Sequence, residues 1–361
     1  MAIFGLMKTK IKNLVALLLV PQIILIKWVG QYPEFIETYY SKGVYPHISE
    51  FWRSIMGWIP FSVGDLLYAL LVIMGIRYIL VNKMSIKNNI LGFLRDIAMI
   101  LSVAYFTFHL LWGLNYYRQP LSKTLGLGEK HSQQDLVEFV DRLVLKTNEI
   151  QFMITADTSK TVQVPYSKKE IMERTLEGYR SLKNKFPIFT YHRPSLKKSI
   201  FSVPLSYMGY GGYLNPFTNE AQANSALPNF RFPVICGHEI GHQLGFSAEN
   251  ETNFIGYLAT VGNGDLYFKY SAYAYALSYC LNELASRDQE EFKRQYNKLN
   301  PGVKRNYKEV AEFWEAHANP MEPIFKSIFS TFLKANNQKD GIKSYNAVVT
   351  LLINYYRNNP I

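Results

Sequence analysis

The stretch IAMILSVAYFTFHLLWGL, from Ile97 to Leu114, carries no Asp, Glu, Lys or Arg in 18 residues. Coiled as a helix it is about as long as the hydrocarbon core of a bilayer is thick, and it presents no charged face to water. Phe61–Val81 is a second such stretch, with Asp65 and Arg77 near its ends, where charged groups reach headgroups or water. Leu14–Val29 is a third, interrupted by Pro21 and carrying Lys27, whose amine must extend to the interface. KWVGQYPEF at its end offers no small-x-small cleavage pattern, so the segment reads as an uncleaved anchor. Three buried core helices are the competing reading, and lengths like these argue against it. The expectation is a multi-pass cell-membrane protein with three N-terminal transmembrane helices in residues 1–117 and a separate domain in residues 118–361.

Two cues orient the spans. Lys8, Lys10 and Lys12 precede the first, while Lys83, Lys87 and Arg95 fill the loop expected between the second and third. Positively charged loops face the cytoplasm, and Trp28, Trp58, Trp112, Tyr116 and Tyr117 then fall at the opposite interface. Everything after about Tyr117 is expected on the non-cytoplasmic side. The net charge of +11 suits an anionic partner; because the basic residues are dispersed, the bilayer is expected and nucleic acid is not. With only two cysteines, Cys236 and Cys280, the chain has no disulfide framework, and Cys236 reads as buried packing.

Beyond Arg118 the composition is that of a soluble domain. Ser132–Gln151 has a helical stripe of Leu136, Phe139, Val140, Leu143 and Val144. Ser167 and Glu170 form a capping box that opens a helix running to about Lys185. Ser199–Ala226, rich in Gly, Pro, Tyr and Ser, suits short strands and turns, and helices are expected again at Asp265–Ser286, Asp288–Leu299, Val303–Ala318 and Ile342–Arg357. The fold class expected is α+β, mainly α, with one small sheet ahead of the segment VICGHEIGHQLGFSAENETNFIGYLA, Val234–Ala259.

That segment carries the chemistry. His238 and His242 stand four apart, which on a helix puts both imidazoles on one face, within reach of one tetrahedral metal ion. Glu239 is then placed as the general base of the HExxH arrangement, and one Zn2+ is the expected cofactor. Val234, Ile235 and Ile240 would bury the helix beneath the sheet. A catalytic zinc needs a third protein ligand. Gly245 can end the helix in a left-handed cap, Ser247 can cap the next, and Glu249 or Glu251 follows. The two glutamates point about 200° apart on a helix, so only one can bind the same ion. Glu249 is preferred because Thr252, Asn253 and Gly256 on its face are small enough for close helix packing. Glu251 is the alternative, and otherwise a buried supporting carboxylate.

The segment ENETNFIG is similar to the E-x-x-A-D-x-F-A helix of membrane-bound zinc peptidases such as the prenyl-protein processing and heat-shock membrane proteases. That resemblance implies that Glu249 is the ligand and that Asn253 stands where an Asp orients a ligand histidine. Thr252 replaces the usual Ala, and the connection from His242 to Glu249 is shorter than in those families. The apolar spans, GLNYYRQPL, SYMGYGGYLNPFTNEAQAN, the histidine segment, YSAYAYAL and DGIKSYNAVVTLLINYY together resemble a bacterial family of unknown function regarded as membrane-anchored HExxH zinc metallopeptidases. The resemblance implies a zincin-like metallopeptidase domain behind the membrane anchor.

Other residues are weighed beside these. Thr218–Asn224 reads either as the edge strand on which an extended peptide substrate lies or as an ordinary surface strand. Tyr210, Tyr213 and Tyr345 are candidate oxyanion donors, each also suited to packing. His109 and His192 read as structural or interfacial, and Asp65 as solvated at the membrane surface. The function expected is a zinc metallopeptidase acting on a peptide or protein substrate. The alternative is a catalytically silent zinc-binding receptor or envelope-assembly protein. Three spans with few internal polar groups provide little of a transport pathway.

Overall fold

The computed structural model describes residues 9–339, 341 and 347–361. Two units divide the chain: one runs to Gln119 and takes in Asn215–Glu220, and the other comprises Pro120–Leu214 and Ala221–Ile361.

The first unit holds three helices long and apolar enough to cross a membrane, Thr9–Val29, Val63–Asn88 and Ile90–Leu111. The first consists of α1 (Thr9–Leu17) and α2 (Leu19–Val29), with the break at Leu18 three residues before Pro21. α3 (Tyr45–Met56) lies between the spans, followed by α4 (Val63–Asn88) and α5 (Ile90–Leu111). Leu71, Val72, Ile73 and Leu80 leave α4 with an exposed apolar surface suited to lipid. A loop holding Lys83, Lys87 and Arg95 was expected between the second and third spans. Instead both helices continue through these residues and meet at Asn89, which caps α5 by accepting a hydrogen bond from the Gly92 amide at 2.9 Å. Lys12 lies 3.4 Å from Asp96, and Gln22 donates to Ser102 at 3.1 Å. Both partners advance in the same direction along the chain, so the first and third spans run parallel.

Buried polar pairs brace the same unit. Arg118 donates to Glu37 at 2.9 and 2.8 Å, both side chains being nearly inaccessible. Burial pushes the Glu37 carboxyl up, but Arg118 and Lys42 outweigh it and hold the group below the usual range. Glu220 accepts from the Val63 and Gly64 amides at 3.1 and 2.6 Å, placing a carboxylate on the first turn of α4, where the helix dipole favours negative charge. Asn219 accepts from Ser49 at 2.8 Å and donates to the Tyr45 hydroxyl at 3.1 Å. Asp65 is fully buried at the start of α4 rather than solvated at an interface.

In the second unit, α6 (Gln133–Thr155) buries Leu136, Phe139, Val140, Leu143 and Val144, each worth roughly 1.5–3 kcal/mol of hydrophobic free energy. The Ser167–Glu170 capping box opens α7 (Lys168–Lys185). β1 (Leu196–Lys198) follows, then α8 (Ser202–Met208), in a stretch where strands and turns were expected. Pro204 in the first turn fits a helix start, and Gly209, at φ 80°, closes α8 in the left-handed conformation. β2 (Gly212–Asn215) and β3 (Glu220–Ala223) complete a sheet of order β1-β3-β2. β3 pairs parallel to β1, with Leu196 opposite Ala221 and Lys198 opposite Ala223. Thr218–Asn224 therefore supplies the central strand, its backbone groups already engaged with neighbouring strands. The edge facing away from β1 belongs to β2.

α9 (Phe232–Gln243) and α10 (Glu249–Val261) pack against each other inside a shell that includes α11 (Leu266–Arg287). α12 (Gln289–Asn297) and α13 (Pro301–Ala316) follow close to the expected positions. α14 (Glu322–Ala335) was not expected at all. α15 (Val348–Tyr356) covers the described part of the last expected helix, which otherwise falls outside the described residues. Val234 and Ile240 are fully buried, and Ile235 packs beneath Gly211. Cys236 and Cys280 are buried free thiols, and burial drives both well above the ordinary thiol range.

Candidate metal centre

The centre arises where α9 crosses α10. A methyl group at Gly256 would lie 2.7 Å from the His238 amide nitrogen and 2.9 Å from the Val234 carbonyl, so the two backbones meet with no room for a side chain. Gly237 faces the same crossing, where a methyl group on it would lie 3.0 Å from the Gly256 carbonyl oxygen. The connection is equally tight. Gly245, at φ 83°, takes a conformation open to glycine and ends α9, while the Phe246 amide returns to the Gly241 carbonyl. α10 begins directly at Glu249, with Ala248 at its N-cap and no side-chain cap, so Ser247 does not serve there.

This geometry gathers four ionisable groups. The rings of His238 and His242 lie 4.7 Å apart and nearly perpendicular. Glu249 Oε2 is 3.3 Å from His238 Nε2 and 3.6 Å from His242 Nε2. His238, Glu239 and His242 also offer ligand atoms within 4.8 Å of one another. Both carboxylates thus approach the imidazoles, and Glu249 is the nearer, reaching both at once. Glu251 is turned away and accepts from the Leu121 amide at 2.6 Å.

The residues fit a metal. Ligand atoms about 2.0–2.1 Å from a tetrahedral zinc lie about 3.4 Å from each other. The 3.3 and 3.6 Å separations match such an edge and are long for charge-assisted hydrogen bonds. His242 Nδ1 stands 2.8 Å from the Phe246 carbonyl, which can only accept, so the proton sits on Nδ1 and Nε2 keeps its lone pair for an ion. His238 Nδ1 and Glu239 Oε2 are buried with no hydrogen-bond partner among the described residues. A buried oxygen of this kind calls for a compensating group, as a cation would supply.

The electrostatics are those of a coupled cluster. Burial lifts the Glu239 carboxyl to about 7, with the two imidazoles pulling down and Glu249 pushing up. Burial opposes charge on His242, yet Glu249 overrides it and holds the imidazole at about 9. Glu249, despite burial, is kept well below the usual carboxylate range by the same two rings. Without metal the cluster is a buried ion pair in which a proton occupies the place a cation would take.

The family model described as a protein of unknown function, DUF3810, matches residues 40–353 and so spans the centre whole. The chain belongs to this family. No curated protein and no solved structure matches it.

Around the DUF3810 centre, Tyr275, Tyr279 and Arg231, which sequence reasoning passed over, carry part of the design. Asn253 accepts from the Tyr275 hydroxyl at 2.6 Å and donates to Tyr279 at 3.4 Å. Its hydrogen bonds therefore go to α11 rather than to either imidazole. The guanidinium of Arg231 sits 4.6 Å above the Tyr275 ring. The helix expected over Asp265–Ser286 contains both tyrosines, but which of its tyrosines face Glu249 depends on how α11 packs. Tyr210 donates to the Phe325 carbonyl at 3.2 Å, and burial, then Glu249, lifts its hydroxyl to about 12. Tyr213 lies in β2, and Tyr345 is outside the described residues. His109 sits in the third span with Nδ1 3.0 Å from the Tyr105 carbonyl, and His192 is exposed. β2 passes directly over Glu239: a methyl group at Gly212 would stand 2.5 Å from its Oε1. The DUF3810 sheet thus supplies an edge strand beside the HExxH glutamate, one strand over from the expected one.

Proposed function

We propose that this protein is a membrane-anchored zinc metallopeptidase in which His238, His242 and Glu249 hold one Zn2+ and Glu239 is the general base. The reading rests on one observation above all: a single oxygen of Glu249 lies 3.3 and 3.6 Å from two imidazole nitrogens, while Glu239 Oε2 beside them is buried with no partner among the described residues. A zinc ion held there supplies Lewis acidity, making water acidic near neutral pH and polarising a carbonyl. Glu239 accepts a proton from the attacking water on Oε2 and delivers it to the departing amine. His242 is kept in the ligating tautomer by Phe246, and Glu251 serves the fold through Leu121. A peptide substrate is supported by the position of β2 at the end of the strand order, where an extended chain can add as a further strand. Lys10, Lys12, Lys83, Lys87 and Arg95 cluster at one end of the parallel and reversed spans, which supports a catalytic unit on the non-cytoplasmic side.

The test is metal analysis and peptide cleavage by the full chain in detergent. Wild type and Glu251→Ala should each retain one zinc ion, and Glu249→Ala should lose it. Glu239→Gln should keep the ion and cleave nothing. Wild-type turnover by Glu239→Gln defeats the general-base role; stoichiometric zinc without turnover by wild type would instead favour a silent zinc-binding receptor.

A further inference from the structure

α14 has two apolar faces. The inner one belongs to the fold: Leu333 is fully buried, the Phe329 ring lies 5.4 Å from that of Tyr210, and the Phe325 carbonyl accepts the Tyr210 hydroxyl. The outer one faces out. Ile324, Ile328 and Phe332 recur every four residues at 49%, 62% and 39% exposure, with Met321 one turn before at 51%. α8 packs against α14 and extends the surface with Val203 and Tyr207, at 58% and 45% exposure. The two elements are fastened together, since Asn319 donates to the Tyr207 carbonyl at 2.6 Å. A contiguous apolar stripe of this kind on a soluble surface marks a contact site.

Charge identifies the occupant. The segments that carry the stripe, Lys198–Tyr210 and His317–Lys334, contain exposed Lys198, Lys326 and Lys334 against a single acid, Glu322, which is itself paired with Lys326 at 2.5 Å. Apolar side chains bordered by lysines are what an anionic lipid interface selects. The bilayer is also the partner always at hand, because helices able to cross it are covalently joined to this unit, and tethering replaces a weak affinity with a high local concentration.

We propose that the α8–α14 face is a peripheral membrane contact: its apolar stripe enters the interfacial layer of an anionic bilayer, and the surrounding lysines meet the headgroup phosphates. The contact is independent of the peptidase reading. It has a bearing on the same centre, because the inner face of α14 holds Tyr210, and Gly211 and Gly212 lead from there over Glu239. Lipid engagement therefore braces the strand that lies on the HExxH glutamate.

The test uses the full chain in nanodiscs, with Ile328→Cys carrying a bimane label. Cys236 and Cys280 are fully buried and do not compete for it. Brominated lipid should quench the label in phosphatidylglycerol-containing discs and much less in pure phosphatidylcholine. Adding Lys326→Glu and Lys334→Glu should lower the quenched fraction about tenfold. A label at exposed Lys308→Cys should stay unquenched in every disc. The proposal is overturned by solvent-like emission at position 328 in anionic discs, or by quenching that ignores lipid charge. It is equally overturned by protection without quenching in particles that hold two copies.

Discussion

Gly256→Ala tests whether the close crossing of α9 and α10 is what brings a carboxylate to two imidazoles. The added methyl would sit 2.7 Å from the His238 amide nitrogen and 3.0 Å from its Cα, against the 3.4 Å at which ordinary contact begins. The helices must separate by about 0.7 Å at that point, and the obstacle is backbone, which cannot rotate away. Overpacking costs about 1–3 kcal/mol, and the better helix propensity of Ala returns about 1 kcal/mol. Net destabilisation should be about 0–2 kcal/mol, a loss of a few degrees in Tm for a unit of this size. The metal is far more sensitive. Ligand distances tolerate about 0.2 Å, so a shift several times larger, at the backbone of His238 itself and two turns from Glu249, should weaken zinc binding about 10–100-fold. Competition with a chromophoric chelator measures this in the detergent-solubilised full chain, with thermal unfolding recorded beside it. Gly264→Ala, where the methyl meets nothing within 4 Å, should leave both readings unchanged. A Gly256→Ala protein that holds zinc at wild-type affinity would refute the reasoning, because the ligands would then not depend on the crossing.

Two further outcomes follow from buried hydrogen bonds. Tyr275→Phe leaves Asn253 Oδ1 buried without its 2.6 Å donor and should cost about 1–3 kcal/mol in thermal unfolding, so an unchanged Tm would show that the tyrosine–asparagine network carries no stability. Glu37, held below its ordinary pKa by Arg118 and Lys42, contributes stability that is complete above the unfolded value of 4.5 and is lost as pH falls through the folded one. Glu37→Gln should therefore flatten the acid limb of the Tm-versus-pH curve below about 4.5, and a limb as steep as wild type would place the acid sensitivity elsewhere.

What the sequence revealed was what repeats locally. The four-residue spacing of His238 and His242 survives any packing because a helix imposes it. The divergence of Glu249 and Glu251 follows from the same geometry, and the structure indeed turns one to the imidazoles and the other to Leu121. The Ser167–Glu170 box sets a boundary by hydrogen bonds three residues apart. The apolar spans are equally local, being a matter of length and composition. Non-local pairing was not legible. Nothing in SYMGYGGYLNPFTNEAQAN tells which strand takes the middle of the sheet, since that depends on β1 arriving parallel to β3. α8 was hidden by a Gly- and Tyr-rich composition. α14 went unread although its periodicity is local too: Ile324, Phe325, Ile328, Phe329, Phe332 and Leu333 share one side of the helix, and Lys326, Ser327, Ser330, Thr331 and Lys334 the other.

The tip of the β2–β3 hairpin, Asn215–Glu220, sorts with residues up to Gln119 although about a hundred residues of chain separate them. Its Glu220 carboxylate, wholly inaccessible, accepts from the amides that open α4. Dissection at the obvious boundary, releasing everything from Pro120 onward as a water-soluble fragment, would therefore strand an acid evolved for a helix terminus that is no longer there. Purification schemes for this molecule are better built around detergent and intact polypeptide than around proteolytic release.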